Sequence, residues 1–386
     1  MRRSIPLALL VTALVPAWAL SQVPTGSGQV VRRPGAGLTP EFPPPTIIEY
    51  HPKSTLVTAE HLVPRAKYPT VDFHGHPPKL TSKAVIDTVV AAMDRLNLAV
   101  IVNAPAGSGQ ALTQQIEAVK AAGQSNRFTM FTSLNFNGVG PGSGQKIAAQ
   151  LEADAKAGAT GIGEIMKSFG VSVKKADGTR LRLDDHELDP VWAMAAKLKL
   201  PVFIHVGDPA AFWEPIDFNN ERWLELSLYR DRRYQDRERY PTFEELMLER
   251  DSLFAHNPKT TFVVAHLGWH AQDLARLGRM FDRFPNLYSE VGAVLYDLGR
   301  QPRTAYKFLV KYQDRVLFGK DSFQPDEYPY YWRVFETEDE YFDYYRDYHA
   351  FWKMYGLGLP DTVLRKLYYG NAVKLIPGLP KDGLPH

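Results

Sequence analysis

Apolar and polar positions along this chain follow two rhythms. From about residue 60, short apolar runs of strand length alternate with longer segments whose apolar residues recur three and four apart, the spacing of one helix face. The strand candidates are 71–74, 98–103, 128–134, 160–165, 202–205, 261–266, 287–291 and 316–318. Several are apolar almost throughout, as strands covered on both faces must be. The helix candidates are 82–97, 110–123, 145–157, 187–199, 243–256, 270–284, 302–313 and 361–374. Asp189-Pro190 and Asn257-Pro258 are boundary dipeptides, and Thr242-Phe243-Glu244-Glu245 has the order of a helix start. Eight alternating units predict an α/β fold closed into a parallel (β/α)8, or TIM, barrel. An open doubly wound sheet is the alternative.

Two connections are far longer than usual: 207–241 after strand 5 and 322–360 after strand 8. Both leave strand C-termini, the face on which such barrels carry their sites. Both are rich in aromatics, among them Phe212, Trp213 and Trp223 in the first and Tyr328, Tyr331 and Trp332 in the second. They are expected to shape a substrate pocket over the mouth, to pack on the barrel, or to form a subunit contact.

The N-terminus has a different pattern. Residues 1–21 combine Arg2 and Arg3, an apolar run over 5–14 and the small-x-small Ala17-Trp18-Ala19. That is the pattern of a signal peptide, and it predicts a periplasmic or secreted protein. The apolar run is too short to span a bilayer, so no stable membrane anchor is expected after cleavage. Residues 22–60 form a Pro/Gly-rich arm or linker, 61–377 the barrel and 378–386 a tail. Removing the signal takes two of the 45 basic residues and none of the 43 acidic ones. The mature balance is near neutral, and no basic stripe interleaved with aromatics points to nucleic acid. There is no cysteine, which excludes disulfides, thiolate ligands and cysteine nucleophiles. Any metal must rest on His and carboxylates, which suits zinc first, with manganese, iron or cobalt as alternatives.

Polar residues stand just where the apolar strands stop. Strand 1 ends in His74-Gly75-His76, whose side chains two apart share one side of a strand, with Gly75 leaving room for close backbone approach. Strand 5 ends in His205, strand 6 in His266, and strand 8 runs Leu317-Phe318-Gly319-Lys320-Asp321. In a barrel these ends converge on one rim, where the group can meet around a metal ion.

These residues resemble the amidohydrolase superfamily. Val264-Ala265-His266-Leu267-Gly268, Leu317-Phe318-Gly319-Lys320-Asp321 and Tyr369-Gly370-Asn371-Ala372 look like its amidohydrolase-2 branch, which includes aminocarboxymuconate-semialdehyde decarboxylase. The resemblance covers roughly residues 68–377. It implies that His74, His76, His205 and Asp321 ligate one divalent ion. His266 would lie beside its water as the base, and Asp321 would also shuttle a proton. Lys320 departs from the pattern: relatives usually carry Ser or Thr there. It can lower the pKa of Asp321 or point into the barrel wall. Glu164, in Gly161-Ile162-Gly163-Glu164, can bridge a second ion, contact substrate, or pair with Lys167. If a second ion is present, His266 becomes a ligand.

Weaker candidates lie on the connections. Arg222, Trp213 and Arg300 can meet a substrate, Arg222 by a fork onto a carboxylate; the competing reading of the arginines is ordinary surface charge. The expected function is an exported metal-dependent hydrolase of an amide, ester or lactone. The same-fold rival is a non-oxidative decarboxylase of an aromatic or unsaturated acid, and a different class of answer is a non-catalytic binding barrel. The partner is a small-molecule substrate, and homo-oligomerisation stays open.

Overall fold

The structure is a computed structural model that describes residues 42–43, 45–349 and 352–385. The expected signal peptide lies outside the described residues. The chain divides into a unit of residues 1–50 and a unit of residues 51–386. In the first, the described residues 45–50 are exposed, and Glu49 accepts from the Thr46 N–H at 2.9 Å. In the second, residues 51–64 carry neither helix nor strand and are almost all exposed.

The barrel strands are β1 (Thr70–His76), β2 (Leu98–Asn103), β3 (Phe128–Thr132), β4 (Gly161–Ile165), β5 (Val202–Ile204), β6 (Phe262–Val264), β7 (Leu287–Glu290) and β8 (Val316–Leu317). Each pairs in parallel with the next. The strand is interrupted after β8 and resumes as β9 (Asp321–Ser322), which pairs with β1. Across the break Phe73 N–H donates to Phe318 O at 3.0 Å. The sheet therefore closes through the β8–β9 segment, as the eight-unit rhythm predicts.

Two-sided burial explains the near-continuous apolar runs. Val71, Phe73, Val100, Val102, Phe131, Phe203, Val263 and Leu317 form one buried cluster, and their strand neighbours Ile101, Met130, Ile162, Val202, Ile204, Phe262 and Val264 belong to another, shared with the helices. The first is the barrel interior. The residues expected as a C-terminal tail join it, burying Leu379 and Leu384.

The helices are α1 (Lys83–Leu96), α2 (Gln110–Ala121), α3 (Ser143–Ala157), α4 (Asp189–Leu198), α5 (Trp223–Leu228), α6 (Phe243–His256), α7 (Leu274–Arg283), α8 (Leu295–Arg300), α9 (Pro302–Lys311), α10 (Tyr328–Glu336), α11 (Asp361–Arg365) and α12 (Asn371–Leu375). Thr242 caps α6 in a full capping box with Glu245. The helix expected over 270–284 begins only at Leu274, capped by Asp273, whose side chain accepts from Arg276 N–H; residues 266–269 ahead of it form a left-handed turn. The helix expected over 361–374 is interrupted by a π-helical turn, Lys366–Gly370. Of the two long connections, the first carries α5 and the second carries α10 and a hairpin of Phe342–Asp343 with Lys353–Met354. No helix among the described residues is long and apolar enough to cross a membrane.

Candidate metal centre

The sequence placed five polar residues at strand ends, and the closed barrel brings them together. The pairing of β1 with β2 slips between Asp72 and Gly75, a bulge that breaks strict alternation at His74. A Cβ on Gly75 would lie 2.6 Å from Val102 O, so only glycine fits between the two histidines. The rings of His74 and His76 are 5.0 Å apart, as are those of His74 and His266, and His205 meets His266 at 4.4 Å.

Glu164, at the end of β4, occupies the middle of this group. Its Oε2 lies 3.0 Å from His76 Nε2 and 3.3 Å from His74 Nε2, and its Oε1 lies 2.5 Å from His205 Nδ1. Asp321 Oδ1 lies 3.7 Å and 3.8 Å from the same two Nε2 atoms. Among the described residues, His74, His76 and Glu164 form one group with metal-ligand spacing; Glu164, His205 and His266 form a second, and His74, His266 and Glu290 a third. Glu164 is common to the first two.

The donor set fits a divalent ion. Nε2 of His74, His76 and His205 are all buried with no hydrogen-bond partner. An ion with tetrahedral bonds of about 2.0–2.2 Å holds its donors about 3.3–3.6 Å apart, close to the spacings seen here. The tautomers agree. A carbonyl only accepts, so His266 Nδ1 donates to Gly292 O at 2.8 Å and its Nε2 carries a lone pair. His74 Nδ1 faces Glu290 Oε1 at 3.1 Å, which leaves Nε2 for a ligand bond.

Charge is arranged accordingly. Burial opposes ionised Glu164, but His74 and His205 outweigh it and hold the carboxyl well below the usual carboxylate range. Burial likewise opposes a charged His74, yet Glu164 and Glu290 hold its pKa well above the ordinary imidazole value. Asp321 is lowered despite its burial, chiefly by His74 and His266. Burial, with His205 nearby, pushes His266 down to about 4, so it is a neutral proton acceptor at pH 7.

His266 is also held in a strained backbone. It has φ 57°, followed by Leu267 at 53°, Gly268 at 60° and Trp269 at 54°. Each non-glycine residue there costs roughly 1–2 kcal/mol. The turn is braced by Arg250, which donates to Gly268 O at 2.8 Å, and by Trp269 Nε1–H, which donates to Gly207 O at 2.9 Å.

Other expectations are corrected. Glu164 does not pair with Lys167; Lys167 pairs with Asp208 at 3.0 Å, and Tyr234 donates to the same carboxylate at 2.6 Å. Of the two courses expected for Lys320, lowering the pKa of Asp321 or pointing away, its side chain takes the second: Nζ pairs with Glu327, and the backbone N–H donates to Asp72 Oδ1 at 3.1 Å. Arg222 is neither a surface residue nor free. It is buried, donates to Glu225 and His349 at 2.9 Å and to Tyr296, and stacks over the Tyr296 ring at 4.2 Å. Arg300 is held by Glu221 and Asp297 and lies over Trp352. Trp213 is buried, stacks on Tyr234 and donates its indole N–H to Pro241 O at 2.9 Å, so it packs the first long connection.

Two buried carboxylates beside the site escaped the sequence reading. Glu290 ends β7 but follows Ser289 and precedes Val291 within the expected strand, so no apolar run stops at it as one does at His205 and His266. Asp72 lies inside the β1 run, where no such signal exists.

A comparison with curated protein sequences finds no match. Solved structures share the fold at low identity. An uncharacterised TIM-barrel protein from Bordetella bronchiseptica has TM-score 0.50 and 17% identity, covering 79% of this chain and 97% of that one. A dihydroxybenzoic acid decarboxylase from Polaromonas, with bound manganese and 2-nitroresorcinol, has TM-score 0.48 and 15% identity over 80% and 96%. A 4-oxalomesaconate hydratase from Rhodopseudomonas palustris has TM-score 0.48 and 15% identity over 80% and 95%. The family model described as amidohydrolase matches residues 133–378, well over half of the 386 residues. On that match, together with the closed barrel and its strand-end residues, the chain belongs to the amidohydrolase-2 family.

Proposed function

We propose that this chain is a metal-dependent hydrolase that cleaves an amide, ester or lactone of a small molecule. His74, His76, His205 and Asp321 would hold one divalent ion, with Glu164 among them, and Glu164, His205 and His266 form a further group with donor spacing for a second. The observation that carries the reading is the position of Glu164, with one oxygen toward His74 and His76 and the other toward His205. Glu164 Oε1 takes the His205 Nδ1–H, which leaves His205 Nε2 as its ligand atom, and Oε2 stands beside the ligand nitrogens of His74 and His76, a buried anionic setting in which a divalent ion can activate water for hydrolysis.

A bound divalent ion supplies Lewis acidity, lowering the pKa of a water to about 7 and polarising a carbonyl oxygen. The side chains do the rest. With one ion, His266 keeps Nε2 free to take a proton, its ring fixed by the bond to Gly292 O. With two, that lone pair is a ligand and Asp321, whose side chain is 36% exposed, is the more open proton carrier. Zinc leads among the metals on the N/O donor set, with manganese, iron or cobalt as alternatives. Export to the periplasm or beyond rests on the pattern of residues 1–21.

The test is an assay of metal-free and metal-loaded protein against lactones, esters and amides, beside a series of aromatic and unsaturated acids. The reading expects metal-dependent hydrolysis, reduced by 10²-fold or more in Glu164→Gln. Carbon dioxide release from an acid, with no water consumed, would replace it with the decarboxylase reading.

A further inference from the structure

Behind the ligand atoms lies one carboxylate that touches both halves of the site. Glu290 is completely buried at the end of β7. Its Oε1 accepts from His74 Nδ1–H at 3.1 Å and from the backbone N–H of His266 at 2.6 Å, and its Oε2 accepts from Gly292 N–H. The space for it is built into the chain. A Cβ on Gly292 would lie 2.7 Å from Oε2, and one on Gly319 would overlap the same oxygen and crowd His74 Cβ at 2.7 Å. Glycines from two neighbouring strand ends thus clear a slot for this side chain.

We infer that Glu290 is a positioning residue that sets His74 for the ion and His266 for its role with a single buried carboxylate. The inference rests on the proposed ion site. Through His74 Nδ1–H, Glu290 orients the ring and keeps a proton on Nδ1, so that Nε2 is the nitrogen left to an incoming ion. Through His266 N–H, it anchors the backbone of the first residue of the left-handed turn, while Gly292 O holds the ring and the other braces reach Gly268 and Trp269. Ion affinity and the placement of His266 are therefore coupled through one side chain whose two oxygens are both taken by N–H donors.

Glutamine cannot replace it. All three partners are N–H donors, and an amide offers one acceptor oxygen and two donor hydrogens. Whichever way it turns, an N–H faces an N–H. Alanine at position 319 attacks the same carboxylate from the other side by filling its slot.

The experiment is a cobalt(II) titration of metal-free wild type, Glu290→Gln and Gly319→Ala, read by the visible absorption of cobalt. It is paired with ring-nitrogen NMR of His74 and circular dichroism of each protein. The expected result is cobalt binding by wild type, with affinity lower by about 10–100-fold and an altered spectrum in Glu290→Gln, while the folded signal is retained. The His74 Nδ1–H resonance shifts or broadens in the variant. Gly319→Ala reproduces the cobalt result if folded, and Glu290→Gln carries the test if it is not. Wild-type affinity, spectrum and His74 resonance in Glu290→Gln would overturn the inference. Failure of wild type itself to bind cobalt would overturn the ion site first, an outcome read from a different protein in the same titration.

Discussion

The Tyr328 hydroxyl donates to Asp72 Oδ2 at 2.6 Å, a bond between residues 256 positions apart. The other oxygen of Asp72 accepts from His74 N–H and Lys320 N–H, each at 3.1 Å. One buried carboxylate therefore fastens α10 of the second long connection to the seam where β1 meets the β8–β9 segment. It also fixes the backbone of His74 and of the residue before Asp321. Burial raises the pKa of Asp72, against the pull of the Tyr328 hydroxyl, the charge of His74 and the Lys320 N–H.

Tyr328→Phe removes one of those donors and leaves Oδ2 buried and unpaired. The expected cost is about 1.5–3 kcal/mol, the range for a hydrogen bond to a charged group. Differential scanning calorimetry should show a midpoint lower by several degrees. An unchanged midpoint would mean that the latch contributes nothing to closing the barrel.

Arg222→Met should act on the fold. The guanidinium is buried against Glu225, His349 and Tyr296, so its loss leaves Glu225 Oε2 facing His349 alone, while Oε1 keeps Arg232. The expected cost is about 1.5–3 kcal/mol, the range for losing a hydrogen bond to a charged group. Chemical denaturation is the measurement. A variant of wild-type stability whose only defect is a raised KM would return Arg222 to the substrate role that the sequence proposed.

Acid should destabilise the protein from near neutrality. Burial, with Arg222 nearby, lowers His349 to about 4, and burial with Arg250 and Arg276 lowers His270 to about 2. Both folded values lie below the ordinary 6.5. The unfolded chain therefore takes up these protons first, and stability is lost as pH falls below that value. By about pH 5 each histidine should cost on the order of 2 kcal/mol. Urea unfolding of metal-free protein at pH 7.5 and pH 5 checks the sign; equal or greater stability at pH 5 would contradict it.

What the sequence revealed depended on whether a residue's surroundings are local. The strands were legible because two-sided burial leaves continuous apolar runs, and His74, His76, His205, His266 and Asp321 because each interrupts such a run at its end. Glu290 escaped because Ser289 precedes it and Val291 follows, so it ends no apolar run. Asp72 escaped because its partners Lys320 and Tyr328 come from the far end of the chain. The arginines misled for the same reason: Arg222 reads as exposed until Tyr296 and His349 arrive from other connections. Lys167 is three residues from Glu164, but Asp208 on the next unit takes its ammonium. The left-handed turn at His266 is invisible locally, because Leu267 and Trp269 carry no preference for it and the braces are tertiary.

The central claim is that the barrel gathers these side chains to hold a divalent ion. Elemental analysis of purified protein, beside His76→Ala and Asp321→Ala prepared identically, tests it most directly. The account predicts at least one equivalent of zinc, manganese, iron or cobalt per wild-type chain and a large loss in both variants. A wild-type protein that takes up none of these ions when supplied with them, or equal content in all three proteins, would contradict it.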